Sequence, residues 1–318
     1  MSQQALILGA TGSYGGAVAL ELLARGWQVR ALLRDATRLK RLGGQGGAIE
    51  PVIGDALELD DVMAAAAGCS VIVHGVNYPY DQWVPHMERV TANALRAARQ
   101  AGALLVFPGN VYGFGLQEGV ALDENAGMRP NTAKGRLRVK LEIAIKAATQ
   151  DGKCRALIVR AGDYFGPTVR NGLVDRVFGQ AARAKKMQVL GRLDIAHQWA
   201  YVPDLARLSA DLIERAGRLA PFEIAHFRGT IALPQRQFLQ RIAAAAGQPG
   251  LGMSALPWPM LWLAGRFSAL MREVYEMRYL FDHSIIIDDP RARLLVPEFT
   301  ATPPDQAIAA TLDSYRRG

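Results

Sequence analysis

The stretch ALILGATGSYGGAVALELLARG, Ala5 to Gly26, decides how the chain is read. Ala5 to Leu8 form a short apolar run, glycines follow at Gly9, Gly12 and Gly15, and Ala17, Leu20 and Leu23 then recur at helical spacing. A strand, a glycine turn and a helix in that order make a cradle for a diphosphate. The turn needs a residue tolerant of positive φ, close approach of an anion excludes a Cβ, and tight packing of helix on strand favours a third glycine. The N–H groups of the first helical turn have no acceptor of their own and face the anion. A glycine triad alone is a weak signal, but between a first strand and a first helix it is specific. The cradle comprises Gly9, Thr11, Gly12, Ser13, Tyr14 and Gly15.

Similar apolar runs recur at Gln28 to Leu33, Val52 to Ile53, Ser70 to His74, Leu104 to Phe107 and Ala156 to Val159. Apolar runs without alternation suggest parallel strands covered on both faces. The stretches between them, Ala17 to Ala24, Asp61 to Ala67, Val90 to Gln100 and Lys140 to Thr149, read as helices. Right-handed crossovers stack such units into a Rossmann-like α/β fold, a doubly wound parallel sheet. After Gly166 the alternation weakens around helical stretches at Leu205 to Arg215 and Gln235 to Ala246, and Phe222 to His226 reads as a strand returned to the sheet. The expected division is a dinucleotide-binding domain over 1–165, joined by 190–228, and a smaller, mostly helical substrate region over 166–189 and 229–318.

With 318 residues, half of them apolar, the chain can bury a substantial core. Its net charge of +8 favours an anionic partner. The basic residues are scattered and not interleaved with aromatics, so no nucleic acid is expected as a partner. Cys69 and Cys154 are too few for a disulfide framework or a zinc site and read as core residues. Two cysteines and the absence of a leader pattern after Met1 lead to the expectation of a cytoplasmic protein. The most membrane-like segment, Leu251 to Met271, contains Pro257, Pro259 and Arg266 and is expected to pack against the rest of the protein, with no membrane as partner. The histidines, His74, His86, His197, His226 and His283, lack metal-ligand spacing, so no metal is expected. The absence of a GxSxG elbow argues against a hydrolase.

Two residues, Ala10 and Thr11, separate the first two glycines. With GD at Gly54 and Asp55, NVYGFG from Asn110, RAGDYFGP from Arg160 and WAYVPDLA from Trp199, the chain resembles the extended or atypical branch of the short-chain dehydrogenase/reductase superfamily. That branch includes sugar-nucleotide epimerases, dehydratases and related reductases. The resemblance implies that Asp55 and Ala56 sit at the adenine, that the stretch His74, Gly75, Val76 and Asn77 lines the path toward the nicotinamide, and that Ala161 and Gly162 close over its far end. Asp55 read by itself has a turn or cap residue as its alternative. Family members often pair through two helices of the main domain, which makes a homodimer the analogy.

An NAD-selective site places a carboxylate at the end of the second strand, against the ribose hydroxyls. Leu33 occupies that position and Arg34 follows it, suited to a ribose phosphate, so NADP is expected over NAD. Asp35 would become the acid if the strand ran one or two residues further.

In the superfamily, a tyrosine four residues before a lysine transfers the proton. None of the nine tyrosines here, Tyr14, Tyr78, Tyr80, Tyr112, Tyr164, Tyr201, Tyr275, Tyr279 and Tyr315, has a lysine four residues later. Counting back from Glu142 in NTAKGRLRVKLE puts Arg138 at the lysine and Lys134 at the tyrosine, and FPGN from Phe107 offers no hydroxyl where a serine is usual. Three readings follow. Arg138 binds the nicotinamide ribose while Lys134, beside that cation, donates a proton or binds an anion. Alternatively Asn110, Tyr112 or Tyr164 supplies the donor, the cofactor carrying the hard chemistry. Or the protein binds NADP without turnover, as a redox-responsive module. The expected reaction is hydride transfer to or from a carbonyl or conjugated double bond of a small molecule, and sugar-nucleotide epimerisation is a second alternative.

Overall fold

A computed structural model describes residues 3–317 other than 118, 120 and 171. The alternating segments become β1 (Gln4–Leu8), α1 (Ser13–Ala24), β2 (Gln28–Leu33), β3 (Glu50–Ile53), α2 (Leu59–Ala66), β4 (Val71–His74), α3 (Trp83–Ala101), β5 (Leu104–Asn110), α4 (Ala133–Ala148) and β6 (Arg155–Ala161). They are followed by β7 (Asp163–Phe165), α5 (Gly172–Ala182), β8 (Met187–Leu190), β9 (Ala196–Tyr201), α6 (Val202–Glu214), β10 (Phe222–Phe227), β11 (Ile231–Pro234), α7 (Gln235–Ala245), β12 (Met253–Leu256), α8 (Trp258–Ala264), α9 (Ala269–Glu276), α10 (Tyr279–Asp282), α11 (Pro290–Leu295) and α12 (Pro304–Arg316).

The main sheet has seven strands in the order β10-β6-β5-β4-β1-β2-β3, all parallel. Successive β1 residues go to opposite faces. Ala5 and Ile7 join a core with α1 and α6, whereas Leu6 and Leu8 join one with α2, α3 and α4. Each such side chain, taken fully out of water, contributes about 1.5–3 kcal/mol, which is why all four strand positions are apolar. The strand order reverses between β1 and β4, and the crevice beyond their carboxyl ends is where ligands of doubly wound sheets sit.

Past Gly166 the chain contains strands as well as helices. β11, β9 and β7 form one small sheet, and β12 with β8 another. A third core of Phe165, Phe178, Trp199 and Phe238 unites them with α5, α7 and α12. Cys69 and Cys154 are buried and unpaired with each other.

Several boundaries differ from the sequence reading for physical reasons. α3 begins at Trp83, seven residues before Val90, because Pro85 falls in the first turn, where its missing N–H costs nothing. α4 begins at Ala133 because Thr132 accepts a hydrogen bond from the Gly135 N–H at 3.1 Å. β5 continues through Pro108 and Gly109 to Asn110, paired along β6. The segment expected to pack wholly against the protein does not: Met260, Trp262, Leu263 and Phe267 of α8 and its following turn are exposed. α8 buries Leu261 and seats Trp258 on Asp282, but two short helices cannot cover both of their own faces.

The glycine turn has the shape its residues require. Gly9 has φ of 82°, and a Cβ there would stand 2.5 Å from the Gly75 carbonyl oxygen at the end of β4. Gly15 fits the helix onto the same turn, its Cβ position lying 2.5 Å from the Gly9 oxygen. Gly9→Ala is therefore expected to lower the unfolding free energy by at least about 1–2 kcal/mol, the cost of left-handed backbone alone. Urea denaturation checks this, and an unchanged midpoint would contradict the packing described.

Candidate active site

Helix α1 opens on the crevice uncapped. Its N-cap is Gly12 in extended backbone, with no side-chain cap and no acidic residue in the first turn. An N-terminus normally recruits such groups, so leaving it bare keeps its free N–H groups and positive dipole end for a ligand. Thr11 and Ser13 are partly exposed beside it. Tyr14 turns away: Ser209 donates to the Leu205 carbonyl at 2.7 Å, so the Tyr14 hydroxyl donates to Ser209, 3.0 Å off, inside the core. Only the Tyr14 backbone remains at the turn.

At the other end of the crevice, β2 ends at Leu33 as read, and Arg34 is exposed with no ion pair among the described residues. Asp35 is committed elsewhere. It caps the following 3-10 segment, accepting from the Thr37 N–H at 3.0 Å and from its hydroxyl at 2.7 Å, and these bonds hold its carboxyl below the usual range. The Asp55 carboxylate accepts from the Leu57 N–H at 3.0 Å, a turn role. Ala56 offers its carbonyl to Asn93 at 3.0 Å. Arg34, Asp55 and Tyr78 act electrostatically on one another around this corner. Gly75 donates to the Leu8 carbonyl at 2.7 Å, Val76 follows half-buried, and Asn77 accepts from the Trp83 indole at 3.0 Å.

Lys134, Arg138 and Glu142 recur every four residues along α4, so they share one face, and all three are buried. Each meets a different fate. Glu142 pairs with Arg160 of β6 at 2.5 Å and 3.2 Å, and Arg160 donates to His226 Nε2 at 3.2 Å. That donation makes Nε2 an acceptor, so Nδ1 carries the proton and donates to the Asp288 carbonyl at 2.9 Å. Lys134 is held by Glu273 and, at 2.9 Å, by Glu276, both from α9. The sequence reading set Lys134 beside a cation; in the fold it sits between two carboxylates, because a buried ammonium needs countercharge. Burial pushes the Glu276 carboxyl up, but donation by the Ala133 N–H and Lys134 outweighs it and holds it below the usual range.

Arg138 has no ion pair among the described residues. Its Nη1 donates to the Pro108 carbonyl at 3.1 Å, and its buried Nε has no partner. The guanidinium lies 4.7 Å from the Trp83 ring centre and 5.2 Å from that of Phe107. Burial pulls its pKa down, opposed by Tyr112, Tyr164, Glu142 and Tyr80. Gly109, where the family hydroxyl is missing, has no room for any side chain, since a Cβ would lie 2.4 Å from Arg160 Cγ.

Tyrosines gather round Arg138. The Tyr112 and Tyr80 hydroxyls are 2.8 Å apart, and Asn110 accepts from the Tyr112 N–H at 3.1 Å. Burial, with Asp163 adding to it, pushes Tyr80 up to about 12. Burial likewise pushes Tyr164 to about 12 against the pull of Arg138, and Tyr112 rises well above its ordinary value. All three are phenols, not phenolates, at neutral pH. Ala161 is buried at the end of β6, and Gly162 packs on the Gln198 carbonyl.

The fold thus brings Lys134, Arg138, Asn110, Tyr112 and Tyr164 into one neighbourhood and adds residues the sequence did not single out: Tyr80, Tyr279, Asp163 and His197. Asp163 raises Tyr80, Tyr112, Tyr164 and Tyr279 alike and accepts from His197 Nε2 at 2.8 Å. Asp163 lay within the quoted RAGDYFGP and could have been found there. Tyr80 and Tyr279 carried no motif.

The sequence profile of the NAD dependent epimerase/dehydratase family matches residues 5–225. The chain belongs to that family. A curated relative, a 3-diazoavenalumate denitrifying reductase from a Streptomyces species, is 30% identical over 179 residues, 51% of this chain and 56% of that protein. The chain thus spans about half the length of the curated relative it matches. Among solved structures, MoeE5 in complex with UDP-glucose and NAD shares the fold with a TM-score of 0.77 and 18% identity, over 99% of each chain. So does DesIV, the dTDP-glucose 4,6-dehydratase of Streptomyces venezuelae with NAD bound, at 0.78 and 16%, over 99% of this chain and 97% of that one.

The buried histidines set a pH dependence. Burial, with Arg138 as the second cause, lowers His74 from 6.5 to about 4; burial, with Arg160, does the same to His226. The folded state therefore binds fewer protons than the unfolded chain between these values, so their stabilisation is complete above pH 6.5 and is lost as pH falls toward 4. Each should contribute a loss of about 2 kcal/mol between pH 7 and pH 5. Urea unfolding at both pH values measures it, and His74→Gln should flatten the dependence; identical slopes in wild type and variant would contradict the assignment.

Proposed function

We propose that the protein is an NAD(P)-dependent reductase that delivers a proton from a tyrosine which is not part of a tyrosine–lysine pair. The observation that carries the reading is the Arg138 guanidinium, buried, without an ion pair among the described residues and acted on electrostatically by Tyr80, Tyr112 and Tyr164. An unpaired buried cation favours an anionic or strongly hydrogen-bonding ligand. In this reading, the N–H groups at 11–15 and the Gly9 turn bind the pyrophosphate, Asp55, Ala56 and Val76 flank the adenosine, and Gly75, Asn77, Ala161 and Gly162 line the route to the nicotinamide. Arg138 takes the ribose-binding task of the family lysine.

The nicotinamide, when bound, supplies two-electron reduction of a carbonyl or conjugated double bond. The chain's own part is to hold the substrate oxygen and provide a proton. Tyr164, adjacent to both Arg138 and Asp163, is the proton donor of this reading, with Tyr112 and Asn110 orienting the oxygen. With burial pushing Tyr80 and Tyr164 up to about 12, these phenols stay protonated at neutral pH and none is a ready base, which favours reduction over sugar-nucleotide epimerisation, a reaction that needs a base. The neutralised Lys134 acts as a strut that fastens α9 over the site. The bound NAD of MoeE5 and DesIV and the reductase activity in the curated relative's name support a nicotinamide cofactor. NADP is preferred here because Asp35 is occupied by Thr37 and Arg34 is free to meet a 2′-phosphate.

Oxidation of NADPH and NADH, followed by absorbance against a panel of ketones and enones, tests this. Arg34→Ala should raise KM for NADPH about tenfold and leave NADH unchanged, a difference of about 1.4 kcal/mol. Tyr164→Phe should lower kcat by about 10²-fold or more with little change in cofactor affinity. Tight dinucleotide binding without turnover on any substrate would instead indicate a redox-responsive binding module.

A further inference from the structure

The outward face of α8 and α9 is unlike the rest of the surface. Of the ten large apolar side chains that are exposed among the described residues, five fall within eleven positions: Met260, Trp262, Leu263, Phe267 and Leu270. Phe267, at the turn between the helices, is 88% exposed. A cluster of this kind on a protein surface marks a place where something binds.

Charge identifies the partner. Residues 257–278 contain two acids, Glu273 and Glu276, and both are turned inward onto Lys134. The cations are turned outward. Arg266, Arg272 and Arg278 are exposed, and none forms an ion pair among the described residues. Arg266 lies 5.5 Å from the Trp262 ring centre, so its guanidinium borders the apolar residues, and Arg278 lies 4.5 Å from the ring centre of Tyr275 on α9. Apolar and indole groups flanked by arginine are what the headgroup boundary of an anionic bilayer accepts, with side chains entering the acyl region and guanidinium groups meeting phosphates. A second copy of this chain would set arginines against arginines, with a net charge of +8 on each molecule.

We propose that the α8–α9 hairpin is a docking surface for an anionic lipid bilayer, lying in its interface without spanning it. No helix among the described residues is long and apolar enough to cross a membrane. The hairpin is held rigid for this task. Ser268 caps α9, Trp258 donates to Asp282 at 2.8 Å, and the pair of carboxylates on Lys134 fixes the inner side. Because the same carboxylates border the candidate active site, docking would bring that site close to the membrane, within reach of amphiphilic molecules. The proposal does not depend on which reaction the site performs.

Cosedimentation of the full chain with sucrose-loaded vesicles tests it, using phosphatidylcholine alone and phosphatidylcholine with phosphatidylglycerol. The full chain should pellet with the anionic vesicles, with a blue shift of tryptophan emission. The paired substitutions Trp262→Ser with Phe267→Ser, and separately Arg266→Gln with Arg272→Gln, should each weaken binding about tenfold or more. Thermal unfolding of both variants should match wild type, since these side chains are exposed. No binding to anionic vesicles would overturn the proposal. So would full binding by the Trp262/Phe267 variant, which would reduce the effect to unspecific adhesion of a basic protein. Self-association that the Trp262/Phe267 variant abolishes, without vesicle binding, would assign the surface to a second copy instead.

Discussion

An unfinished helix end organises this molecule. The first turn of α1 lies at the point where strand order reverses, and among the described residues no side chain caps it: the N-cap is a glycine, and the first turn has no acid. A glycine helix start of this kind costs roughly a few tenths of a kcal/mol relative to one capped by a side chain. That cost persists while other buried polar groups, such as the doubly bonded Glu142 carboxylate and Asp204, are well satisfied. The sheet, the Gly9 turn and the tight contact with Gly75 all serve to aim that end into the crevice.

Across the crevice, one helix face carries three ionised side chains and treats each differently. Removing either partner from the Glu142–Arg160 pair would strand a buried charge, at about 3–5 kcal/mol. Lys134 is neutralised from a distant part of the sequence by α9 and so ties the C-terminal helices to the main sheet. Arg138 forms no ion pair among the described residues and is stabilised by ring faces, a carbonyl and the field of nearby tyrosines and Glu142. Its unfinished hydrogen bonding matches that of α1. Arg138 thus keeps an uncompensated positive charge on this face, while Lys134 is held between two carboxylates.

Much of the sheet was legible because parallel strands covered on both faces must be apolar throughout, so Ala5–Leu8, Gln28–Leu33 and Ala156–Val159 announce themselves. The glycine turn was legible for the same local reason. Helix starts were less so: Pro85 reads as a break until it is placed in a first turn, and the cap at Thr132 is hidden in a polar stretch. The partners of Lys134 could not be read at all, since Glu273 and Glu276 lie about 140 positions away and only tertiary packing brings α9 over α4. Tyr80 and Tyr279 were invisible for the same reason. The exposed face of α8 was misread because an apolar segment interrupted by prolines resembles a core segment, and composition does not reveal which side of a short helix is covered.

The bare N-terminus of α1 is the proposed seat of a diphosphate. Gly12 has the extended backbone of an N-cap, and its Cβ position lies 3.3 Å from the Gly9 carbonyl oxygen, a tight contact that a small shift of the turn relieves, so that Gly12→Asp can supply the missing cap. Calorimetric titration of NADPH and NADH into wild type and Gly12→Asp, alongside thermal unfolding of both without ligand, is the most direct measurement. The aspartate is expected to leave the free protein at least as stable while weakening dinucleotide binding by at least about tenfold, because one carboxylate would occupy the N–H groups proposed to meet the pyrophosphate. Dinucleotide affinity left intact by the aspartate would contradict it.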